Sequence, residues 1–327
     1  MSDATPSQIA APEPRLKHFP VPFFAVVMGL MGLTLALHAG AAVYPVLAAL
    51  STVFLWLGVL AFIVISVFYI AKVMRYRAAV QAEWNHPVRL AFFPAISISI
   101  LLIATALFPS FPEAARGLWI IGAVLQAILT LAVISGWISH RAFEVGQLTP
   151  AWFIPAVGNV VAPVAGAPMG FVELSWLFFS TGLVFWVVLL TLVFNRLIFH
   201  NPIPGKLYPT LVILIAPPAV AFLAYINLTG GVDSFARILL NSGYVFAALM
   251  VVQIPNFAKL PFALPWWALS FPVAALTIAS FRFAALTGSQ THVVIGTGIL
   301  LVLCAIMVGL IYRTLVAILR NEICVPE

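Results

Sequence analysis

Residues 266–280 read WWALSFPVAALTIAS, an apolar stretch that carries a proline, Pro272, in its interior. The stretch belongs to a longer apolar run, and about 20 such residues are enough to cross a bilayer as a helix. A proline inside a membrane helix is tolerated where the freed backbone groups are buried in protein or line a cavity. The stretch therefore predicts an interrupted membrane helix that faces other protein or a pathway.

The same pattern recurs along the chain, in which 64% of the residues are hydrophobic and 7% are charged. Ten apolar membrane spans are predicted, at 20–40, 48–73, 88–109, 117–139, 151–168, 172–195, 207–229, 234–253, 264–287 and 291–319. The third, fifth, seventh and ninth contain prolines: Pro94, Pro155, Pro163, Pro217, Pro218 and Pro272. The even-numbered spans contain none, so the alternation predicts two classes of helix, interrupted and straight.

Short links between spans 1 and 2, 5 and 6, and 9 and 10 favour helical hairpins, each an interrupted helix followed by a straight one. Five such units most naturally form a ring, with the odd-numbered helices inside, lining a pore, and the even-numbered helices outside. The predicted fold class is therefore all-α integral membrane. Its parts are a cytoplasmic leader at 1–19, a ten-helix transmembrane domain at 20–319 and a cytoplasmic tail at 320–327.

The basic residues orient these spans, because cytoplasmic loops carry an excess of lysine and arginine. With the amino terminus inside, twelve of the fifteen lie on the cytoplasmic side, among them Arg141, and the other three are Arg116, Arg237 and Arg282. Both termini are then cytoplasmic, and the first span acts as a signal anchor. The net charge of +6 indicates this orientation and attraction to lipid rather than nucleic-acid binding, because the basic residues are scattered over short loops.

Several kinds of chemistry are absent from the sequence. None of the nine acidic residues lies in the middle of a predicted span, where proton- or sodium-coupled carriers commonly place a carboxylate. There is no GxxxxGK[ST] loop and no HExxH motif, and the six histidines are dispersed. The sequence therefore favours passive movement of a solute over coupled pumping, and it predicts no enzyme, no metal site and no cofactor.

Weakly polar side chains are present inside the predicted membrane region, and most of them lie on the interrupted spans. The candidates for pore lining are Thr34, Ser97, Asn159 and Thr277. Such a side chain either lines a pathway or bonds back to a carbonyl of its own helix. A pathway without fixed negative charge is compatible with anions, and the amino-terminal ends of broken helices favour them further.

Two further residues on the ninth span are candidates. Phe271 directly precedes Pro272, so it either projects into a lumen and closes it as an apolar constriction or packs as an ordinary core residue. Arg282 lies eleven residues later, roughly 16 Å along the helix at 1.5 Å per residue. There it either attracts anions at the outer mouth or extends to the lipid headgroups.

The chain resembles the tellurite-resistance/dicarboxylate transporter family, to which bacterial TehA and the plant slow-type anion channel belong. The resemblance covers nearly the whole chain. It is carried by four stretches in order: AEWNHPVRLAFF (82–93), FIPAVGNVVAP (153–163), LIAPPAVAFLAY (214–225) and WWALSFPVAALTIAS (266–280).

That resemblance implies ten helices in a pseudo-five-fold ring of hairpins, assembled as a homotrimer with one pore per subunit. It also implies that Phe271 is the gating phenylalanine and that Pro155, Pro217 and Pro272 are kinks of pore-lining helices. The first span departs from the family pattern, because it reads AVVMGLMGL (25–33) without the usual proline. Gly29 and Gly32 are the remaining positions for a bend there.

Together these features predict an anion channel or transporter for small anions such as dicarboxylates, chloride, nitrate, sulfite or tellurite-related oxyanions, with membrane lipids and copies of itself as its other partners. A proton-coupled dicarboxylate carrier is the alternative within transport. A non-conducting membrane scaffold or receptor is the alternative of another class.

Overall fold

The computed structural model describes residues 14–139 and 143–325. Positions 1–13 of the predicted leader, Arg141 and positions 326–327 of the predicted tail lie outside the described residues. The described part of the chain consists of helices and their connections, without a β-strand. Nine of its helical segments are long and apolar enough to cross a membrane, and a tenth, Pro150–Gly166, is apolar but shorter. An all-helical membrane fold is thus confirmed.

The ten segments are named α1 to α10 in chain order. They are α1 (Val21–Gly40), α2 (Leu47–Arg75), α3 (Arg89–Leu107), α4 (Pro112–Ile138), α5 (Pro150–Gly166), α6 (Val172–Phe199), α7 (Gly205–Thr229), α8 (Ser234–Val252), α9 (Leu264–Thr287) and α10 (Gln290–Leu319). Most boundaries agree with the predicted spans to within a few residues. The start of α4 is five residues earlier than predicted, because Pro112 suits the first position of a helix and Glu113 suits its first turn.

The helices divide into two classes by burial. In the most apolar part of α1, α3, α7 and α9, between 61 and 83% of the residues are buried inside the protein. The corresponding share in α2, α4, α6, α8 and α10 is between 22 and 33%. Nearly every residue of α5 is also buried. The class of helix that proline predicts as interrupted is therefore the buried class, and the helices without proline in their interior form the exposed surface.

Contacts between the helices follow a regular order. Each odd-numbered helix packs against the even-numbered helix that follows it in the chain. Among the buried helices, α1 contacts α3, α3 contacts α5, α5 contacts α7, α7 contacts α9, and α9 contacts α1. The buried helices thus lie beside one another in chain order, and the last of them lies beside the first.

All five buried segments change helix type close to a proline. Each contains a 3₁₀ turn followed by an α-helical part that begins at Phe24, Ala95, Ala162, Ala216 or Ser270. The nearby prolines are Pro22, Pro94, Pro163, Pro217 and Pro272. Proline has no amide hydrogen and a fixed φ, so it fits the first turn of an α-helix and disrupts a helix that would continue through it.

Gly29 and Gly32, the positions left for a bend in the first helix, lie inside an α-helical part that runs from Phe24 to Gly40. The change of helix type lies earlier, at the 3₁₀ turn that contains Pro22. Both glycines lie where α1 packs closely against α9.

A buried ion pair holds the start of α1 in place. Lys72 near the end of α2 lies 2.8 Å from the carboxylate of Glu83, and both side chains are 2% exposed. The carboxylate also accepts hydrogen bonds from the Tyr69 hydroxyl and from the backbone N–H of Val21. Lys72 donates a further bond of 2.8 Å to the Phe19 carbonyl. The segment that leads into α1 is therefore bound at two backbone positions by one charge pair.

Candidate functional site

An apolar cavity of about 50 Å³ is lined by residues of all five buried helices. These residues are Met28 of α1, Ile98 of α3, Phe153, Ile154, Val157, Gly158, Val160 and Val161 of α5, Ile213, Ala216, Pro217 and Val220 of α7, and Phe271 of α9. The lining exposes no polar atom. A water needs two to four polar partners, so an apolar cavity of this kind stays dry. The cavity is thus a dry, apolar space between the buried helices, and Phe271 forms part of its lining.

The cavity lies at the level where the buried helices change type. Ala216 begins the α-helical part of α7, Phe271 is the second residue of that part in α9, and Val161 immediately precedes it in α5. Ile98 and Met28 lie in the first five residues of the corresponding parts of α3 and α1. The cavity therefore lies beside the start of the α-helical part in each of the five buried helices. The amino-terminal end of an α-helix carries partial positive charge.

Glycine allows α1 to approach α9 closely beside Phe271. A Cβ atom at Gly32 would lie 2.9 Å from the Cβ of Ala274 and 3.4 Å from a ring carbon of Phe271. A Cβ at Gly29 would lie 2.4 Å from the hydroxyl of Ser270. Contacts this short do not occur between real side chains, so any larger residue would separate the two helices. The two glycines consequently set the distance between α1 and the backbone that carries Phe271.

The interruption in α5 frees a carbonyl that side chains from α4 satisfy. The Pro155 carbonyl accepts a hydrogen bond of 2.8 Å from Thr130 and one of 3.3 Å from Gln126. Asn159 donates 3.0 Å to the Thr130 hydroxyl, and Ser97 donates 2.7 Å to the Gln126 side chain. A buried carbonyl without a partner would be costly, so this network stabilises the irregular backbone of α5.

The four polar residues predicted to line a pore are bonded to protein groups. Ser97 and Asn159 belong to the network just described and are at most 1% exposed. Thr34 and Thr277 donate to carbonyls four residues earlier in their own helices, at 2.9 and 2.8 Å. The lining of the cavity beside Phe271 includes none of the four.

The predicted kink prolines and Arg282 take different positions relative to the cavity. Pro217 lines the cavity directly. Pro94, Pro155, Pro163 and Pro272 are buried at or near the changes of helix type in α3, α5 and α9. The exposed residue Arg282 lies on α9 near the end of the helix that is remote from Phe271.

Sequence reasoning missed Gln126 and Thr130, which stabilise the interruption in α5. They lie four residues apart in the uninterrupted part of α4, so they share one face. A polar pair with this spacing in an otherwise apolar span is a signal that could have found them. The aliphatic lining residues Met28 and Ile98 leave no such signal, because they look like any other core residue.

Proline-interrupted helices buried inside a layer of straight, exposed apolar helices are typical of the class of membrane proteins that move small solutes. The model of the family described as SLAC1, voltage-dependent anion channel, matches residues 18–315. The chain therefore belongs to this family, and the resemblance inferred from its four sequence stretches is confirmed.

Individual relatives come from plants, archaea and bacteria. The S-type anion channel SLAH2 of Arabidopsis thaliana is 27% identical over 94% of this chain and 59% of its own length. The uncharacterized transporter MJ0762 of Methanocaldococcus jannaschii is 24% identical over 94% of this chain and 97% of its own. The tellurite resistance protein TehA homolog of Haemophilus influenzae is 28% identical over 82% of each chain. The chain thus spans about three fifths of SLAH2 and most of the length of the two prokaryotic proteins.

Proposed function

We propose that this protein is a passive channel for small anions and that the path runs between the five buried helices. The observation that carries the proposal is the dry cavity to which all five of these helices contribute, at the level where their α-helical parts begin. Apolar constrictions of this kind close pores because water, and any ion that needs water, is excluded from them. The present conformation is then the closed state of the channel.

The ring of hairpins belongs to this proposal. The contact order of the buried helices supports it, since α9 contacts α1 as well as α7. The pairing of each buried helix with the next exposed helix supports five hairpin units. Assembly as a homotrimer with one pore per subunit, placement in a bacterial inner membrane and cytoplasmic termini complete the proposal and rest on the family resemblance and on the distribution of basic residues.

The charges around the cavity favour anions and passive flow. No carboxylate lines the cavity in the described part of the chain. The buried carboxylate of Glu83 is engaged with Lys72 beyond the amino-terminal end of α3, away from the cavity. Coupled carriers commonly use a membrane-embedded carboxylate to bind the coupling ion. The described residues offer no such group at the constriction, so flux is expected to follow the anion gradient alone.

Phe271 is proposed as the gate. Its ring forms part of the cavity lining and is half-buried, beside the close approach of α1 at Gly32. Full burial of a phenylalanine side chain stabilises by roughly 1.5–3 kcal/mol. If that burial holds the closed state, its loss shifts the balance between closed and open states about 10- to 150-fold, at 1.4 kcal/mol per tenfold change. The lower part of this range applies to a half-buried ring.

The test is anion flux in proteoliposomes that contain purified wild-type protein or Phe271→Ala. Chloride, nitrate and a dicarboxylate are compared, with an increase of at least tenfold expected for one or more of them in the variant. Phe281→Ala is the matched control, because it removes a phenylalanine from the same helix at a position that does not line the cavity. Equal flux through wild type and Phe271→Ala would refute the gate.

A second readout separates passive flow from proton coupling. The same vesicles carry a pH-sensitive dye, and the anion gradient is applied without a pH gradient. Passive conduction predicts that the internal pH stays constant while the anion enters, once the membrane potential is clamped with potassium and valinomycin. An internal pH change that depends on the dicarboxylate would instead establish the coupled carrier.

A further inference from the structure

A second and larger cavity lies on the other side of the helix that carries Phe271. It has a volume of about 260 Å³ and is lined by apolar residues of α7, α8, α9, α10 and the short helix Ile254–Phe257. Its floor includes Val273 and Leu276 of α9, and Leu276 is 1% exposed. Residues 271 and 273 point to nearly opposite sides of a helix. The cavity beside Phe271 and this groove therefore lie on different sides of α9, and α7 also contributes residues to both.

The groove opens to the lipid-facing surface between α8 and α10. Val251 on α8 and Val302 on α10 line it and are 62% and 55% exposed. Gly298 on α10 also lines it, and a Cβ atom built at Gly298 meets nothing within 4 Å. Because these residues lie in membrane-crossing helices, the surroundings of the opening are acyl chains rather than water.

One end of the groove is polar and basic. Phe257 lines this end, and its ring lies 5.2 Å from the ring of Tyr208 at the start of α7. The Tyr208 hydroxyl donates 2.9 Å to the side chain of Gln253. Beyond these residues lie two exposed lysines, Lys206 and Lys259.

The two lysines belong to segments that touch. A Cβ atom at Gly205, next to Lys206, would lie 3.1 Å from the side chain of Leu260, next to Lys259. Lys206 and Lys259 are therefore carried by adjacent segments near this end of the groove, both with exposed side chains. From the groove outward, apolar side chains are followed by hydrogen-bonding groups and then by cations. The acyl chain, glycerol region and phosphate of a phospholipid come in the same order.

We propose that the groove is a binding site for an anionic phospholipid, whose acyl chain lies against α9 and whose phosphate is bound by Lys206 and Lys259. The lipid comes from the leaflet beside these lysines, which is the cytoplasmic leaflet in the orientation inferred from the basic residues. The volume is below the 300–1,000 Å³ of a typical site for a compact ligand, so it accommodates one chain rather than a whole lipid. This site does not depend on the identity of the transported anion.

The experiment counts lipids bound to the full-length protein by native mass spectrometry, after titration with phosphatidylglycerol or phosphatidylcholine. Wild-type protein is compared with Gly298→Leu, which fills the groove. The matched control is Gly117→Leu on α4, where an added Cβ atom also meets nothing within 4 Å and which contributes no residue to the groove. We expect Gly298→Leu to lose one phosphatidylglycerol per chain and Gly117→Leu to keep it.

A second arm tests the headgroup. Each lysine near a membrane surface contributes about fivefold to the binding of an anionic lipid, so Lys206→Gln with Lys259→Gln should weaken phosphatidylglycerol binding about thirtyfold. Binding of phosphatidylcholine should not change. Equal binding of the two lipids by wild type, or unchanged phosphatidylglycerol binding in both Gly298→Leu and the double lysine variant, would overturn the proposal. So would spontaneous disulfide formation between two copies of Gly298→Cys, since the groove would then be covered by protein.

Discussion

The buried ion pair between Lys72 and Glu83 provides a sharp test of how the start of α1 is held. In Glu83→Gln the carboxylate is replaced by an amide, so the ammonium group 2.8 Å away remains buried without its counter-charge. Breaking a buried pair from one side typically costs 3–5 kcal/mol. The hydrogen bonds from Tyr69 and Val21 to the same carboxylate place this variant in the upper part of that range.

Thermal unfolding of the detergent-solubilised protein measures the effect. At about 2 °C per kcal/mol, the expected loss in Tm is at least about 6 °C for Glu83→Gln. The double variant Lys72→Met with Glu83→Gln should recover most of this loss, because it removes the uncompensated charge. A loss below about 1 °C in Glu83→Gln, or a double variant as unstable as the sum of the two single ones, would refute the reasoning.

Three further predictions concern the other packing features. Gly32→Ala should lower stability by about 1–3 kcal/mol and change anion flux, because the new methyl group meets α9 at 2.9 Å, whereas Gly117→Ala has free space and should keep both properties. Thr130→Val should lower stability by about 1–3 kcal/mol by removing the 2.8 Å bond to the Pro155 carbonyl, and Thr191→Val, on an exposed helix surface, should change it little. Burial raises the pKa of the Cys324 thiol, so at pH 7.5 a maleimide should label it more slowly in the folded than in the unfolded protein, with equal rates counting against its burial.

The class of each helix could be predicted from the sequence because proline has a direct physical cost. A proline such as Pro217 or Pro272 removes a backbone donor, and lipid offers no substitute partner. Helices with such residues must be surrounded by protein, and the structure buries them. The lengths of the spans could also be predicted, because the thickness of the bilayer sets how many residues a helix needs to cross it.

The details of the site could not be predicted in the same way. Gly29 and Gly32 were named as the positions left for a bend in α1, and the sequence did not indicate their close packing against α9, because that depends on which helices are neighbours. Ser97 and Asn159 were expected at the pore because they lie on interrupted helices. Their hydrogen bonds to α4 depend on how each helix is rotated about its own axis. A helix that is apolar on all sides carries little information about that rotation in its sequence.

The ion pair at Glu83 shows a further limit of sequence reasoning. The absence of acidic residues from the middle of the spans predicts a path without a coupling carboxylate, and among the described residues the cavity lining contains no acidic side chain. The sequence did not indicate that one acidic residue between two spans would be 2% exposed and paired. The number of basic residues in each loop predicts how the protein is oriented in the membrane. It does not reveal which loop residues are buried against the ends of the helices.

The reversal potential of the Phe271→Ala current in a planar bilayer under a potassium chloride gradient tests the central claim most directly. If the five buried helices surround an anion path that the phenylalanine ring closes, the variant should carry a current that reverses close to the chloride equilibrium potential, while wild type carries little current. A current that reverses at the potassium equilibrium potential, or no current above that of wild type, would contradict the account.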